Sequence, residues 1–259
     1  MLMRSIGWII CLMIAIFALS SSGVCQDASN YYDSLAGKLV SAGNLSEGLD
    51  LFNKSLDQNQ SNDKVWVHKG NAEKALRDYN ASIRSYDRAI DLQDRNAAAW
   101  SGLADAYTVK MDYRNATVAV RQLTRLDPKN KGYWLRIGTL QQIQGDFGNA
   151  TSSLDRALSI DEKYKDALYR KAISELSANK TAEATALLDQ VIAADSKFKQ
   201  AYNARGQARQ IEGDHKKAIS EYEKALQIDP KWSLAQINKM HALFALGRQR
   251  EAVDILLRI

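Results

Sequence analysis

The 259-residue chain contains only two prolines, two cysteines and three histidines. Because proline disrupts helix interiors, its scarcity favours long helical stretches, as do abundant Ala, Leu, Lys, Glu and Arg. Cys11 lies in an apolar leader and only Cys25 remains, which excludes a disulfide framework or a cysteine metal site in the folded part. The 35 basic and 30 acidic residues are interspersed, which argues against a nucleic-acid surface.

Residues that could carry catalysis are equally scarce. His68, His215 and His241 are far apart, and motifs such as HExxH, CxxC, GxGxxG and the phosphate-binding loop are missing from the sequence. The sequence therefore predicts a protein that is not an enzyme and that needs no cofactor and no metal ion.

The first 25 residues have the order of a secretory signal. Arg4 precedes an apolar stretch at 6–19, and small residues follow at 20–23. The stretch is shorter than the ~20 apolar residues that span a bilayer comfortably. Residues 1–25 are therefore expected to be a signal peptide or an uncleaved membrane anchor. We expect an extracellular or cell-envelope protein that meets a membrane only through this segment.

The remaining chain repeats itself every 34 residues without insertions. Trp66, Trp100 and Trp134 share one column, and Pro128 and Pro230 share another. Such a period predicts paired short helices that stack on their neighbours. The seven copies begin near Ser29, Asp63, Ala97, Lys131, Lys165, Lys199 and Ser233, and the last stops inside its second helix at Ile259.

A turn column lies between the two helices of each copy. It holds Gly43, Gly145, Gly213 and Gly247. Glycine there is expected to give a turn conformation that is closed to residues with a Cβ. His215, two positions after this column, takes the place of Tyr113 and Phe147 and is expected to be a packing residue.

Two copies carry a recognisable pattern. The third has Trp100, Leu103, Ala104, Tyr107, Ala116 and Pro128, and the sixth has Tyr202, Gly206, Gly213, Ala218, Tyr222, Ala225, Leu226 and Pro230. With these residues the chain resembles the tetratricopeptide repeat (TPR) family over residues 29–259. The resemblance implies an all-α solenoid, a right-handed superhelix of about seven helix-turn-helix repeats, that serves as a scaffold for protein–protein interaction.

The resemblance also implies where a partner binds. In this family a peptide or helix usually lies in a concave groove lined by the first helix of each repeat. Helical spacing assigns to this groove His68, Asn71, Lys74, Asp105, Arg136, Thr139, Tyr169, Arg170, Asn203, Gln207, Asn238 and His241. The same face includes Ile173, Leu176 and Gln210. Arg136 and Arg170, one period apart, are spaced to hold an acidic or carboxylate-bearing segment.

The last copy suggests an alternative. No polar helix follows "AVDILLRI", and Val253, Leu256 and Leu257 are expected to be partly exposed. Fraying of this end and homo-oligomerisation through it both fit the sequence. A structural component that assembles through this helix is therefore the alternative function.

Seven Asn-x-Ser/Thr triplets occur, more than composition gives by chance. Five lie at the turn between paired helices, at Asn44, Asn80, Asn115, Asn149 and Asn179. Exposed turns suit N-glycosylation. The same residue types also start helices, and duplication would copy Asn115 to Asn149. Asn44, Asn80 and Asn179 are each offset from the Asn115 and Asn149 register, so copying explains only that pair, and all five are candidate glycosylation sites.

Overall fold

The computed structural model describes residues 26–257, and within that range the chain forms fourteen helices and no strand. The first helix, α1, occupies residues 26–41. The others are α2 (Leu45–Gln58), α3 (Asp63–Ala75), α4 (Tyr79–Leu92), α5 (Ala97–Val109), α6 (Tyr113–Leu126), α7 (Lys131–Ile143), α8 (Phe147–Ile160), α9 (Lys165–Ser177), α10 (Thr181–Ala194), α11 (Lys199–Ile211), α12 (His215–Ile228), α13 (Ser233–Ala245) and α14 (Gln249–Leu256). In this described range no helix has the length and apolarity to cross a bilayer. The predicted leader at 1–25 lies outside the described residues.

The chain divides into two compact units, one that ends at Leu126 (unit 1) and one that begins at Asp127 (unit 2). In unit 1, α3 packs against α2, α4 and α5, and α5 also packs against α4 and α6. In unit 2 each helix from α7 to α14 packs against the next, and the alternate helices α7, α9, α11 and α13 pack against one another. Each unit is therefore an all-α stack of helical hairpins, as the sequence predicted.

Recurring aspartates explain where the second helix of a hairpin begins. A carboxylate oxygen of the residue before the helix accepts the backbone N–H three residues later, at 2.9–3.3 Å. This bond satisfies one of the donors that the first turn of a helix leaves unpaired. The contact is made before α4, α6, α8 and α12 by Asp78, Asp112, Asp146 and Asp214.

The turn inside each hairpin places one residue in the left-handed conformation. The positions recur every 34 residues, at Gly43, Arg77, Met111, Gly145, Asn179, Gly213 and Gly247. The expectation that this conformation is closed to side chains with a Cβ was wrong. Arg77 and Met111 adopt φ values of 65° and 60°. The packing of the hairpin imposes the turn on them, against a local cost of about 1–2 kcal/mol.

Glycines allow the helices to approach a large buried aromatic ring in two of the hairpins. The ring of Tyr86 on α4 is fully buried and lies against Gly70 on α3 and Gly102 on α5. A Cβ at Gly102 would lie only 2.4 Å from two ring carbons of Tyr86. Tyr222 and Gly206 repeat this arrangement in unit 2. The aromatic core therefore depends on glycine in the first helices.

In three repeats a tryptophan side chain holds the loop that precedes the first helix in place. Each indole is partly buried, and its N–H donates to a backbone carbonyl six residues earlier at 2.8–3.0 Å. The pairs are Trp66 with Gln60, Trp100 with Asp94, and Trp134 with Pro128. The loops that position the first helices, and hence the candidate groove, are held by these bonds.

Candidate partner-binding groove

In unit 1 the predicted groove residues are engaged with neighbouring side chains. His68 Nδ1 lies 2.8 Å from Asp33 Oδ1, and Lys74 Nζ lies 3.0 Å from Asp105 Oδ2. Each contact joins the first helices of consecutive hairpins. These partly exposed pairs give modest stabilisation, and they leave less free charge for a ligand.

Buried tyrosines orient two amides of the first helices. The Tyr86 hydroxyl donates to Asn71 Oδ1 at 2.7 Å in unit 1, and the Tyr222 hydroxyl donates to Gln210 Oε1 at 2.8 Å in unit 2. Burial raises the pKa of both hydroxyls, so they remain donors. Each amide therefore has its oxygen engaged and its NH₂ group directed elsewhere.

Unit 2 contains a depression of about 460 Å³ between α7, α9 and α11, which we call the basic depression. It is lined by Leu135, Thr139, Asp166, Tyr169, Arg170, Phe198 and Gln200. The rings of Tyr169 and Phe198 meet edge to face with their centroids 5.2 Å apart. The depression therefore combines aromatic and aliphatic surface from Leu135, Tyr169 and Phe198 with polar groups, among them one cation, Arg170, and one anion, Asp166.

The backbone of Arg170 is held in place while its guanidinium stays available. Gln142 Nε2 donates to the Arg170 carbonyl at 2.6 Å and to the Ser174 hydroxyl at 2.8 Å. Within residues 26–257 the Arg170 guanidinium makes no hydrogen bond or ion pair. Burial raises the pKa of the neighbouring Tyr169 hydroxyl, and the positive charge of Arg170 opposes that shift. Arg170 therefore presents a guanidinium without a direct partner in this range, on a backbone that Gln142 holds in place.

A second depression of about 520 Å³ lies between α9, α11 and α13, and we call it the amide depression. Its lining consists of Ile173, Leu176, Ser177, Gln207, Gln210, Ile211 and Asn238. None of these residues is ionisable. Asn238 Nδ2 donates to the buried Asn203 at 2.9 Å, whereas Gln207 makes no hydrogen bond within the described range. The depression thus combines aliphatic walls with amides that keep spare hydrogen-bonding capacity.

The structure brings together five of the predicted groove residues. Thr139, Tyr169 and Arg170 line the basic depression, and Gln207 and Asn238 line the amide depression. The other three that lie in unit 2 are placed differently: Asn203 is buried under Asn238, and Arg136 and His241 line neither depression.

Sequence reasoning missed several lining residues. Phe198 stands just before the start of α11, and Ile211 is the last residue of that helix. Phe198 could have been found from the sequence, because an aromatic residue recurs just before the first helix at Tyr164, Phe198 and Trp232. The terminal turns of the helices therefore contribute to the groove as well as their central faces.

The five candidate glycosylation residues are all exposed. Asn179 occupies the left-handed turn position, with φ of 58°. Asn115 and Asn149 lie in the first turn of α6 and α8, and their Nδ2 atoms donate to Asp112 and Asp146 at 2.8 and 2.7 Å. The nitrogen that would carry a glycan is thus hydrogen-bonded at these two positions.

The described residues also do not meet the requirements of a metal site. Among them no group of three or more His, Cys, Asp or Glu side chains is placed to bind a metal ion.

The imidazole Nδ1 of His215 is buried, and it has no hydrogen-bond partner among the described residues. At the end of the described chain, Val253 and Leu256 on α14 and Leu257 directly after it are exposed by 43%, 57% and 79%.

The repeats of this chain match models of a known protein family. Models described as tetratricopeptide repeat match residues 67–116, 132–164 and 169–231, together more than half of the chain. The chain belongs to the tetratricopeptide repeat family. TPR proteins are in general non-enzymatic scaffolds for protein–protein interaction, and this TPR chain has the fold of such a scaffold. No curated protein sequence matches it.

Solved structures show the same fold. YrrB, described as a TPR protein with an unusual peptide-binding site, is 22% identical, with 71% of this chain and 95% of YrrB covered and a TM-score of 0.60. A tetratricopeptide repeat protein from Parabacteroides merdae is 15% identical, with 90% and 92% covered and a TM-score of 0.72. PilW, a type IV pilus biogenesis factor, is 14% identical, with 80% and 96% covered and a TM-score of 0.62. At these identities the likeness concerns the fold alone.

Proposed function

We propose that this TPR protein is a non-enzymatic scaffold that holds an extended peptide segment of a partner protein on the first helices of unit 2. One observation carries the proposal. The basic depression and the amide depression share α9 and α11, so the cationic and aromatic groups of the first adjoin the aliphatic and amide groups of the second. Depressions of several hundred Å³ that combine apolar surface with placed polar groups are typical of binding sites.

The groove is suited to binding because much of it is already ordered. Gln142 fixes α7 against α9, Tyr222 holds Gln210, and Asn203 holds Asn238. A surface whose side chains are held before binding loses less conformational entropy when a ligand arrives. The description of YrrB as peptide-binding, on the same fold, agrees with this use of the surface.

A variant whose amide depression is filled by a tryptophan side chain tests the proposal. Random displayed peptides are selected on the purified chain, and the enriched peptides are measured against Ser177→Trp, which fills the amide depression from an exposed position. The matched control is Ser159→Trp, at an exposed serine on α8 outside both depressions. We expect Ser177→Trp to weaken binding by about tenfold or more and the control to leave it unchanged. Absence of enriched peptides, or equal binding to both variants, contradicts the proposal.

We further propose that the protein is exported and N-glycosylated. The order of residues 1–25 and the exposure of the five asparagines support this. Mass measurement of the mature chain reports removal of the leader and attached sugar together. An unprocessed, unmodified chain recovered from the cytoplasm contradicts the proposal.

A second candidate function is self-assembly through α14. The exposure of Val253, Leu256 and Leu257 supports it, because neighbouring apolar side chains in water favour association. Light scattering at increasing protein concentration decides between the two roles. A mass that stays at one chain throughout removes the assembly role.

A further inference from the structure

We propose that the groove of unit 2 recognises two features of a peptide at once. One is a carboxylate bound by Arg170, and the other is a large apolar side chain in the amide depression, at least two residues away along the peptide. The inference rests on the proposed peptide-binding function and specifies the chemistry of its ligand.

We infer a carboxylate in the ligand because the Arg170 guanidinium lacks a partner among the described residues. This holds although Asp166 lines the same depression. The rings of Tyr169 and Phe198 line the same depression and cover part of its surface. A guanidinium binds a carboxylate through two parallel hydrogen bonds, and the pair is stronger where water is partly excluded. An acidic side chain or a peptide C-terminus supplies that group.

The apolar side chain follows from the walls of the amide depression. Ile173, Leu176 and Ile211 offer aliphatic surface, and Ile211 is 50% exposed. The lining within the described chain has no ionisable group, so a charged side chain placed there would lose water without gaining a counter-ion. An apolar side chain would instead cover the aliphatic surface and gain from removing it from water.

The amides of this depression fit the peptide backbone. Gln210 has its oxygen bound to Tyr222 and its NH₂ group unused, and Gln207 has both of its groups unused in the described range. Backbone carbonyls and N–H groups need such donors and acceptors when they leave water. Peptide recognition by an extended segment therefore fits the lining better than insertion of a helix, whose backbone groups are already paired.

The spacing of the two features follows from α9. Arg170 and the Ile173–Ser177 segment lie on this helix, which rises about 1.5 Å per residue, so the two binding positions are about 7 Å apart along it. An extended peptide advances about 3.3 Å per residue. The amide depression is lined by α13 where the basic depression is lined by α7, so the two positions are also displaced across the helices. At least two peptide residues therefore separate them.

The test sequences the peptides that random display selects on the purified full chain. We expect enrichment of Asp or Glu, or a free C-terminus, at a constant spacing of at least two residues from Leu, Ile, Met or Phe. In a synthetic peptide of that kind, replacing the acid by its amide, or the apolar residue by serine, should each weaken binding by about tenfold.

Variants of the chain assign each feature to its depression. With Arg170→Glu, replacing the acid of the peptide by its amide should no longer weaken binding, whereas replacing the apolar residue by serine still should. With Ile211→Lys, replacing the apolar residue should no longer weaken binding, whereas replacing the acid still should. The matched controls are Ile143→Lys, at the last residue of α7 with 52% exposure, and Arg250→Glu, at an exposed residue of α14. Unchanged helical circular dichroism verifies that each variant is folded.

The outcomes separate the inference from the proposed function. Enriched peptides that lack the paired signature, yet are blocked by Ser177→Trp, overturn the inference and leave peptide binding intact. Peptides that carry the signature but respond equally to Arg170→Glu and Arg250→Glu also overturn it. Failure to enrich any peptide overturns both.

Discussion

The Ser85 hydroxyl donates a 2.6 Å hydrogen bond to Glu73 Oε2 inside unit 1. The same contact recurs in unit 2 as Ser153 to Gln141, at 2.7 Å, with both partners 68 residues further along the chain. Burial raises the pKa of Glu73, although the hydrogen bond from Ser85 and the charge of Lys69 oppose the shift. The chain therefore contains a charged and a neutral version of one buried pair.

Glu73→Gln should stabilise the fold at neutral pH. Because the folded-state pKa of Glu73 is raised, the folded chain holds its proton where the unfolded chain has lost it. Stability is therefore lost as pH rises from the ordinary Glu pKa through the raised one. Urea unfolding at about pH 4 and about pH 8 should show a smaller pH effect in the glutamine variant than in the natural chain.

The reverse exchange serves as the control. Gln141→Glu should lower stability at neutral pH and add a dependence of the same sign, because its environment repeats that of Glu73. If neither exchange alters the pH dependence of the free energy of unfolding, burial of the Glu73 carboxylate has no energetic effect.

Gly102→Ala should destabilise unit 1 by about 1–3 kcal/mol. The added methyl would lie 2.4 Å from the Tyr86 ring, which is held by Gly70 on its other side and by its bond to Asn71. Gly148→Ala is the control, since nothing lies within 4 Å of its added Cβ, and it should be neutral or stabilise by up to about 1 kcal/mol. Chemical denaturation measures both, and equal effects would contradict the close packing.

Met111→Gly should stabilise the chain by about 1 kcal/mol. Met111 has a left-handed φ of 60° and is 74% exposed, so glycine relieves backbone strain and loses little packing. Arg121→Gly, at an exposed position inside α6, should instead cost about 1 kcal/mol. Thermal unfolding compares the two, and a lower midpoint for Met111→Gly would refute the strain.

Under the proposed N-glycosylation, Asn149→Gln and Thr151→Val should each remove the same glycan from secreted chains. Both changes destroy one Asn-x-Thr acceptor, but the second keeps the asparagine and its bond to Asp146. Mass spectrometry of chains secreted by a glycosylating host should show equal losses. A loss for only one of them, or for neither, contradicts glycosylation at Asn149.

The repeat architecture was predictable because its local determinants recur. Asp78, Asp112 and Asp146 each start a second helix at the same place in the period, so one cap explains several helices. The turn at Met111 was not predictable from residue preference. There, packing of the hairpin overrides the intrinsic cost of the left-handed conformation.

The chemistry of the groove was only partly predictable. Helical spacing placed Lys74 and Arg170 on equivalent faces, but it did not show that Lys74 is paired with Asp105, 31 residues away. The difference between a paired and an available cation depends on side-chain geometry between repeats. Ile211 escaped prediction because it lies at the end of α11, outside the central face.

Amide hydrogen exchange with a saturating selected peptide tests the central claim most directly. The account predicts slower exchange over Lys165–Ser177 and Lys199–Ile211, the helices that both depressions share, with little change over Thr181–Ala194. Protection confined to the second helices, or to unit 1, would contradict binding on the first helices of unit 2.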